Sequence, residues 1–191
     1  NGNHQRFVYH PLTGLPQYVI DGNGRVFSLN FGNVADEQSP KMRLLSVSLL
    51  EGLPAFGETF RVGSPLVRYE YNGSGDLIRV IGRDGNVKRS FGYKNNLMVS
   101  HTDAAGLVSE YEYDHYTPTG KVLRNWTSLG EEWRFTYHDG YTEVTDVLGR
   151  IEQYHYDYNN ELTKRVFADG SAVLMERDGL GRLLSHTDAM G

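Results

Sequence analysis

Turn-forming residues recur about every ten positions through the last two thirds of this 191-residue chain. The segments between them alternate between a Tyr-x-Tyr type and a Leu/Val type. A strand of about six residues and a turn of about four together take up this spacing. The pattern therefore predicts tandem β-hairpins, because short internal repeats at a fixed period indicate a repeat architecture. The turn residues are Gly75, Gly85, Asn95, Gly106, Gly120, Gly130, Gly140, Gly149, Asn160, Gly170, Gly181 and Gly191.

An aromatic pair marks each repeat, as in Tyr69-Glu70-Tyr71 and Tyr111-Glu112-Tyr113. Residues two apart in a strand point to the same face, so each pair places two rings on one side of the sheet. Cross-strand pairs of this kind contribute roughly 0.2–1 kcal/mol each. We expect the second members to form an aromatic ladder, made of Tyr71, Tyr93, Tyr113, Tyr137 and Tyr156.

Many of the turns are written Asp-x-x-Gly. An Asp side chain accepts hydrogen bonds from backbone amides just beyond it, and Gly adopts a positive φ without a Cβ clash. These residues are therefore predicted to be structural. The turn set is Asp103 with Gly106, Asp146 with Gly149, and Asp178 with Gly181.

The fold class predicted from these patterns is all-β, with tandem antiparallel hairpins that form a continuous twisted sheet. The first third of the chain is less regular, since polar and Gly/Pro-rich segments interrupt it. We expect residues 1–65 to form an irregular N-terminal β segment with one repeat and two insertions. Residues 66–191 are expected to form the repeat array.

Composition excludes several function classes. A net charge of −5 makes the chain a poor ligand for polyanions, so we expect no nucleic-acid partner. The lack of Cys removes disulfides and thiolate metal sites. No apolar run approaches the roughly 20 residues of a membrane helix, so no membrane span is expected. The start Asn-Gly-Asn-His lacks both an initiator Met and a signal-peptide pattern, so we expect an excised fragment.

The segment 178–191 resembles the consensus of the Rhs, or YD-repeat, family: Asp-x-x-Gly-Arg-Leu, a short strand, then Thr-Asp-x-x-Gly. Tyr113-Asp114 and Tyr156-Asp157 supply the Tyr-Asp pair that names the repeat. Asp-x-x-Gly-Arg occurs three times, and its copies end at Arg25, Arg150 and Arg182. Several units in phase make this resemblance specific.

The resemblance implies that the chain is a segment of a larger β-shell that encloses a C-terminal toxin in bacterial competition. It also implies an exported or cell-surface bacterial protein made in the cytoplasm, with type VI secretion as the delivery route. The expected partners are the remainder of the parent shell, its toxin domain and a secretion apparatus. The chain departs from the complete pattern, since it holds few repeats and shows no recognisable toxin or self-cleavage segment.

Two segments suggest hydrolytic chemistry at first sight, Ser100-His101-Thr102-Asp103 and Ser185-His186-Thr187-Asp188. A catalytic triad is assembled once, from geometry, whereas these two copies occupy the same phase of the repeat. Neighbouring strand residues also point to opposite faces. We therefore predict that the chain is not an enzyme and has no catalytic residues.

The other candidate sites also have a structural explanation. His138-Asp139 and His155-x-Asp157 offer metal ligands but no convergent spacing, and no phosphate-binding loop is present. Asp21-Gly22-Asn23-Gly24 begins like a calcium loop, but position twelve of that loop is Gly32 where a Glu is required. No cofactor and no metal are expected.

The remaining alternative is a cell-surface carbohydrate-binding module that stacks sugars on the aromatic rows. Such modules leave their rings open to solvent and usually carry more Trp, whereas this chain has only Trp126 and Trp133. A structural role is therefore favoured. Unpaired edge strands also favour self-association.

Overall fold

The computed structural model describes residues 4–34, 40–51 and 61–190. All regular structure in these ranges is β, and none of it forms a helix that could cross a membrane. The strands are β1 (Arg6–Tyr9), β2 (Pro16–Ile20), β3 (Val26–Asn33), β4 (Met42–Glu51), β5 (Arg61–Tyr71), β6 (Leu77–Gly82), β7 (Val87–Lys94), β8 (Leu97–Asp103), β9 (Val108–Tyr113), β10 (Val122–Thr127), β11 (Glu132–Tyr137), β12 (Tyr141–Asp146), β13 (Ile151–Tyr156), β14 (Leu162–Val166), β15 (Ala172–Arg177) and β16 (Leu183–Thr187).

The chain divides into two compact units, residues 1–106 with β1 to β8 and residues 107–191 with β9 to β16. In each unit every strand pairs antiparallel with its neighbours in the chain, as β5 does with β6 and β11 with β12. The predicted all-β class and the tandem antiparallel hairpins are confirmed. The predicted boundary at residue 65 stays a prediction. The two predicted insertions span residues 33–40 and 51–65. Most of each, residues 35–39 and 52–60, lies outside the described residues.

The sheet in each unit carries almost no core. In the described chain Leu50 and Ile81, 7% and 8% exposed, are the only buried apolar side chains. Most strand side chains are half-buried on one or other face. Because hydrophobic burial is the usual main source of stability, these units depend more than most on their backbone hydrogen bonds, cross-strand pairs and turns.

Ten of the twelve predicted turn residues lie at positive φ, from 51° at Asn95 to 88° at Gly106. Gly149 and Gly181 both have φ of 78°, where a side chain would strain the backbone. Gly120 is required for another reason, since a Cβ there would clash with the His115 carbonyl oxygen. Gly191 lies outside the described residues.

The turn from Asp146 to Arg150 shows how the repeat closes. Asp146 Oδ1 accepts hydrogen bonds from the backbone N–H groups of Leu148 at 2.9 Å and Arg150 at 3.0 Å. Gly149 N–H donates to the Asp146 carbonyl at 3.0 Å. The Arg150 side chain then holds the other carboxylate oxygen, with Nε and Nη2 each 2.6 Å from Oδ2. One carboxylate thus serves two backbone and two guanidinium donors.

The same arrangement recurs at the other Asp-x-x-Gly-Arg turns. Asp178 accepts from the N–H groups of Leu180 and Arg182 at 2.9 and 3.0 Å, and Arg182 Nε lies 2.7 Å from Asp178 Oδ2. Asp21 and Arg25 form the equivalent pair at 2.6 Å. In the Asp103 turn, which has no Arg, the carboxylate accepts from Ala105 N–H at 2.8 Å and Gly106 N–H donates to the Asp103 carbonyl at 3.2 Å. The recurring Arg therefore satisfies the turn carboxylate.

A variant turn keeps the same backbone hydrogen bonds, with a neutral amide in place of the Asp and a carboxylate in place of the Arg. Asn72 replaces the Asp, and its Oδ1 accepts from Ser74 N–H at 3.0 Å and Asp76 N–H at 2.9 Å. Asp76 stands where the Arg would be, and Asn72 Nδ2 donates to Asp76 Oδ2 at 3.1 Å. A carboxylate at position 72 would face the carboxylate of Asp76, so the amide is the compatible choice.

Hydrogen bonding lowers the pKa of two turn carboxylates, Asp146 and Asp178. At Asp146 the backbone N–H of Arg150 is the largest cause, and the Arg150 side chain adds to it. At Asp178 the backbone N–H of Arg182 leads, followed by its side chain. Both pKa values lie below the usual value for Asp, because the donors favour the charged form.

We predict an acid-sensitive contribution from these turns. A folded-state pKa below the unfolded value stabilises the fold above the unfolded pKa, near 4, and this stabilisation is lost as pH falls through the folded pKa. The urea midpoint of the unmodified chain should therefore fall as pH is lowered from about 6 to about 3. The double variant Asp146→Asn with Asp178→Asn should show a shallower fall. Glu131→Gln, at an exposed carboxylate, is the control, and a double variant as acid-sensitive as the control would contradict this account.

Candidate functional site

The five tyrosines of the predicted ladder lie on odd-numbered strands, at or next to the end of each. Tyr71, Tyr93 and Tyr113 are half-buried. Tyr137 and Tyr156 are each 37% exposed. Burial is the largest cause that raises the pKa of the Tyr71 and Tyr137 hydroxyls. None of these rings lies fully open to solvent.

The cross-strand partners of these tyrosines are mostly aliphatic. Tyr71 is opposite Leu77, Tyr113 is opposite Val122, and Tyr156 is opposite Leu162. Aromatic residues on odd strands thus alternate with aliphatic residues on even strands. Within each unit the rings are spaced two strands apart.

A β-bulge recurs opposite four of these tyrosines, and sequence reasoning missed it. The register skips one residue on the even strand near the turn, so that Glu70 is opposite Arg79 and Tyr71 is opposite Leu77. Bulges leave a residue unpaired and interrupt the ladder of backbone bonds. The residues skipped in this way on even strands are Gln17, Leu45, Ile78, Val99, Leu123, Thr163 and Leu184.

Two tyrosine hydroxyls bond the backbone at such a bulge. Tyr71 Oη donates to the carbonyl oxygen of Leu44 at 2.7 Å, and Leu44 immediately precedes the bulged Leu45. Tyr137 Oη donates to the carbonyl oxygen of Val122 at 2.7 Å, and Val122 immediately precedes the bulged Leu123. We call these the tyrosine–bulge bonds. Each satisfies a carbonyl where the ladder is interrupted.

The two Ser-His-Thr-Asp segments do not form a catalytic geometry. In β8 the residues Ser100, His101 and Thr102 are opposite Gly92, Phe91 and Ser90, so His101 faces away from its two neighbours. In β16, Ser185 Oγ donates to Glu176 Oε2 at 3.0 Å, while His186 is opposite Met175 on the other face. Asp188 accepts from the backbone N–H of Met190 at 2.9 Å.

His138 and His155, whose spacing in the sequence argues against metal ligation, pack against a tyrosine ring. His138 stacks on Tyr141 with 4.4 Å between ring centroids, and Tyr141 stacks on His155 at 5.1 Å. His138 Nε2 lies 3.3 Å from Glu143 Oε2. No cluster of three His, Asp or Glu side chains suited to a metal ion occurs among residues 4–34, 40–51 and 61–190.

We predict that the tyrosine–bulge bond contributes to stability. Removing the hydroxyl in Tyr137→Phe leaves the Val122 carbonyl without this donor and should lower the free energy of unfolding by about 1 kcal/mol. Urea unfolding followed by the fluorescence of Trp126 and Trp133 measures this change in the same unit. Tyr158→Phe is the matched control, because Tyr158 is 91% exposed. Equal stability of the two variants would refute the bond's role.

The chain is similar in sequence to two bacterial toxin proteins. No family model matches the chain. Toxin protein Tse5 of Pseudomonas aeruginosa is 34% identical over 189 residues, which covers 93% of this chain and 14% of Tse5. Double-stranded DNA deaminase toxin A of Burkholderia cenocepacia is 34% identical over 97 residues, which covers 50% of this chain and 7% of that protein. The chain thus spans a small part of these relatives.

A solved structure shares the fold. The crystal structure of TcdB2-TccC3 without its hypervariable C-terminal region matches with a TM-score of 0.54 and 14% identity, covering 93% of this chain and 10% of that one. The relatives are toxin proteins, and the shared fold is the hairpin array described above. Together with the Asp-x-x-Gly-Arg turns and the Tyr-Asp pairs, these similarities show that the chain belongs to the Rhs, or YD-repeat, family.

Proposed function

We propose that the chain is a non-enzymatic stretch of the wall of an Rhs-repeat shell, which encapsulates and carries a C-terminal toxin in bacterial competition. The observation that carries this proposal is the use of the recurring polar side chains. The turn carboxylates hold backbone amides and arginines, and the tyrosine hydroxyls that bond bulges hold carbonyls. The repeated groups thus serve the sheet itself.

Such a wall acts by exclusion. Neighbouring strands in a sheet lie about 4.8 Å apart and are joined by backbone hydrogen bonds, so a protein cannot pass between them. The task requires an intact sheet and no reacting group. It requires no cofactor and no metal.

The proposed partners are the rest of the parent shell and the toxin domain. Similarity to toxin proteins from two bacteria supports an exported or cell-surface protein that is delivered to competitors, with type VI secretion as the proposed route. Because the chain spans 14% of Tse5, the remaining wall and the cargo would be supplied by other parts of a longer protein.

The five tyrosines of the aromatic ladder do not favour the carbohydrate-binding alternative. Tyr71 and Tyr137 already use their hydroxyls in the tyrosine–bulge bonds, and Tyr71, Tyr93 and Tyr113 are half-buried. Lys121 Nζ lies 4.8 Å from the Tyr137 ring centroid and covers one face of that ring. The ladder therefore presents few exposed ring faces on which a sugar could stack.

A growth assay tests the absence of catalysis. Expression of the 191-residue chain in the bacterial cytoplasm should leave growth unchanged, because no residue in it is proposed to act on a substrate. Growth inhibition that is relieved by His101→Ala or His186→Ala would overturn the non-enzymatic assignment. Western blotting confirms equal amounts of each variant.

Limited proteolysis of the parent protein tests the wall itself. Deleting residues 150–160 removes one strand and its turn, which reverses the direction of every later strand and should expose the toxin domain to added protease. Deleting residues 150–170 removes a whole two-strand unit, so β15 follows the Asp146 turn in phase and the toxin should be cleaved much more slowly. Equal cleavage in the unmodified protein and both deletions would contradict a protective wall.

A further inference from the structure

A cleft of about 670 Å³ opens on one face of the second unit, across strands β11 to β14. Trp133 on β11 forms one wall, and Phe167, which follows β14, forms the other. Between them lie Val144, Glu152 and Arg165. Tyr154 lies on this face as well, so it is the face that carries the aromatic pairs.

Two positions on this face vary from repeat to repeat. In this repeat Arg165 is opposite Tyr154, the first aromatic of its pair, and Glu152 stands two residues before Tyr154. Among the repeats with an aromatic pair in the described residues, this one alone holds an acid and a base at these two positions. The other repeats of the aromatic ladder have Val67 with Val80, Arg89 with His101, Ser109 with Asn125, and Trp133 with Val144.

The charges of Glu152 and Arg165 form an ordered pair. Arg165 Nε and Nη2 lie 3.0 and 2.7 Å from Glu152 Oε2, and Tyr154 Oη donates to the same oxygen at 2.9 Å. The Arg165 guanidinium carbon lies 4.5 Å from the Phe167 ring centroid and 5.3 Å from that of Tyr154. Stacking and hydrogen bonding thus fix the polar groups in place before any ligand arrives.

Trp133 differs from the other tryptophan. Trp126 donates its indole N–H to Glu110 Oε2 at 2.8 Å, and Arg124 covers its ring at 4.6 Å. Within the described residues, no hydrogen bond to the Trp133 indole N–H and no cation over its ring is found, and the side chain lines the cleft. Trp133 therefore offers both a ring face and a donor to a ligand.

The charges of the lining select the class of ligand. Asp146, Glu152 and Asp169 are opposed by Arg150 and Arg165, which leaves one negative charge from three acids and two bases. Arg150 already pairs with Asp146, and Arg165 with Glu152. The carboxylates would repel an anion, and the guanidinium groups would repel a cation. A neutral ligand rich in hydroxyl groups is repelled by neither. Its hydroxyl groups can donate to the carboxylates and accept from the remaining N–H groups.

We propose that this cleft binds a neutral oligosaccharide, with a sugar ring stacked on Trp133 and its hydroxyl groups bonded to the Glu152–Arg165 pair. An aromatic wall with a few fixed polar groups is the usual composition of a small-ligand site. The site is separate from the five tyrosines of the aromatic ladder and does not depend on the proposed function as a shell wall.

Isothermal titration of the 191-residue chain with maltopentaose, cellopentaose and the N-acetylglucosamine pentamer tests the proposal. At least one of them should bind with a Kd of about 1 mM or lower. Trp133→Val should weaken this binding by about tenfold or more. The control Trp126→Phe, on the opposite face, should bind as the unmodified chain does.

The double variant Glu152→Val with Arg165→Val separates loss of binding from loss of folding. It installs the two valines that the Tyr69 repeat has at these positions, so its circular dichroism and melting temperature should match the unmodified chain while binding falls. Absence of binding by all three pentasaccharides, equal binding by Trp133→Val and Trp126→Phe, or full binding by the double variant would each overturn the proposal. Tighter binding of polygalacturonate than of the neutral sugars would contradict the assigned charge class.

Discussion

The hydrogen bonds between an Asp carboxylate and the backbone of its own turn are the interaction on which the rest of the structure depends. A sheet with only two buried apolar residues in its described part gains little from a core, so the direction of each strand must be set locally. Asp146 does this by holding the amides of Leu148 and Arg150, and Arg150 holds Asp146 in return. Once the turns are fixed, the strands follow at a constant interval, and the aromatic and aliphatic side chains fall on alternate strands.

Much of this was predictable because turns and strand faces are local properties. Asp178 and Gly181 mark a turn from sequence alone, and Tyr69-Glu70-Tyr71 marks a strand with both rings on one face. The bulges at Leu45 and Leu123 were not predictable, since a bulge is a property of two paired strands and neither strand shows it alone. The Arg in Asp-x-x-Gly-Arg was recognised as a family signature, but its role required the distance to the Asp carboxylate.

The repeat also separates structural residues from candidate functional ones. Residues that recur in phase, such as the Asp of each turn, are explained by the backbone groups they hold. His101 and His186 recur in phase as well and lie on strands without a shared site. Glu152 and Arg165 do not recur, and they lie together in the cleft beside Trp133. The sequence places Glu152 two residues before Tyr154, but only the strand register shows that Arg165 is opposite Tyr154.

The carboxylates of exposed turns hold the backbone of each turn in place through hydrogen bonds. Amide hydrogen exchange at the Asp146 turn tests this role most directly. Leu148 is 73% exposed, yet its N–H and that of Arg150 should exchange far more slowly than in an unfolded peptide, because both are bonded to Asp146 Oδ1. Asp146→Ala should remove this protection at both amides while β15 and β16 keep theirs. Exchange at the unfolded rate in the unmodified chain would contradict the account.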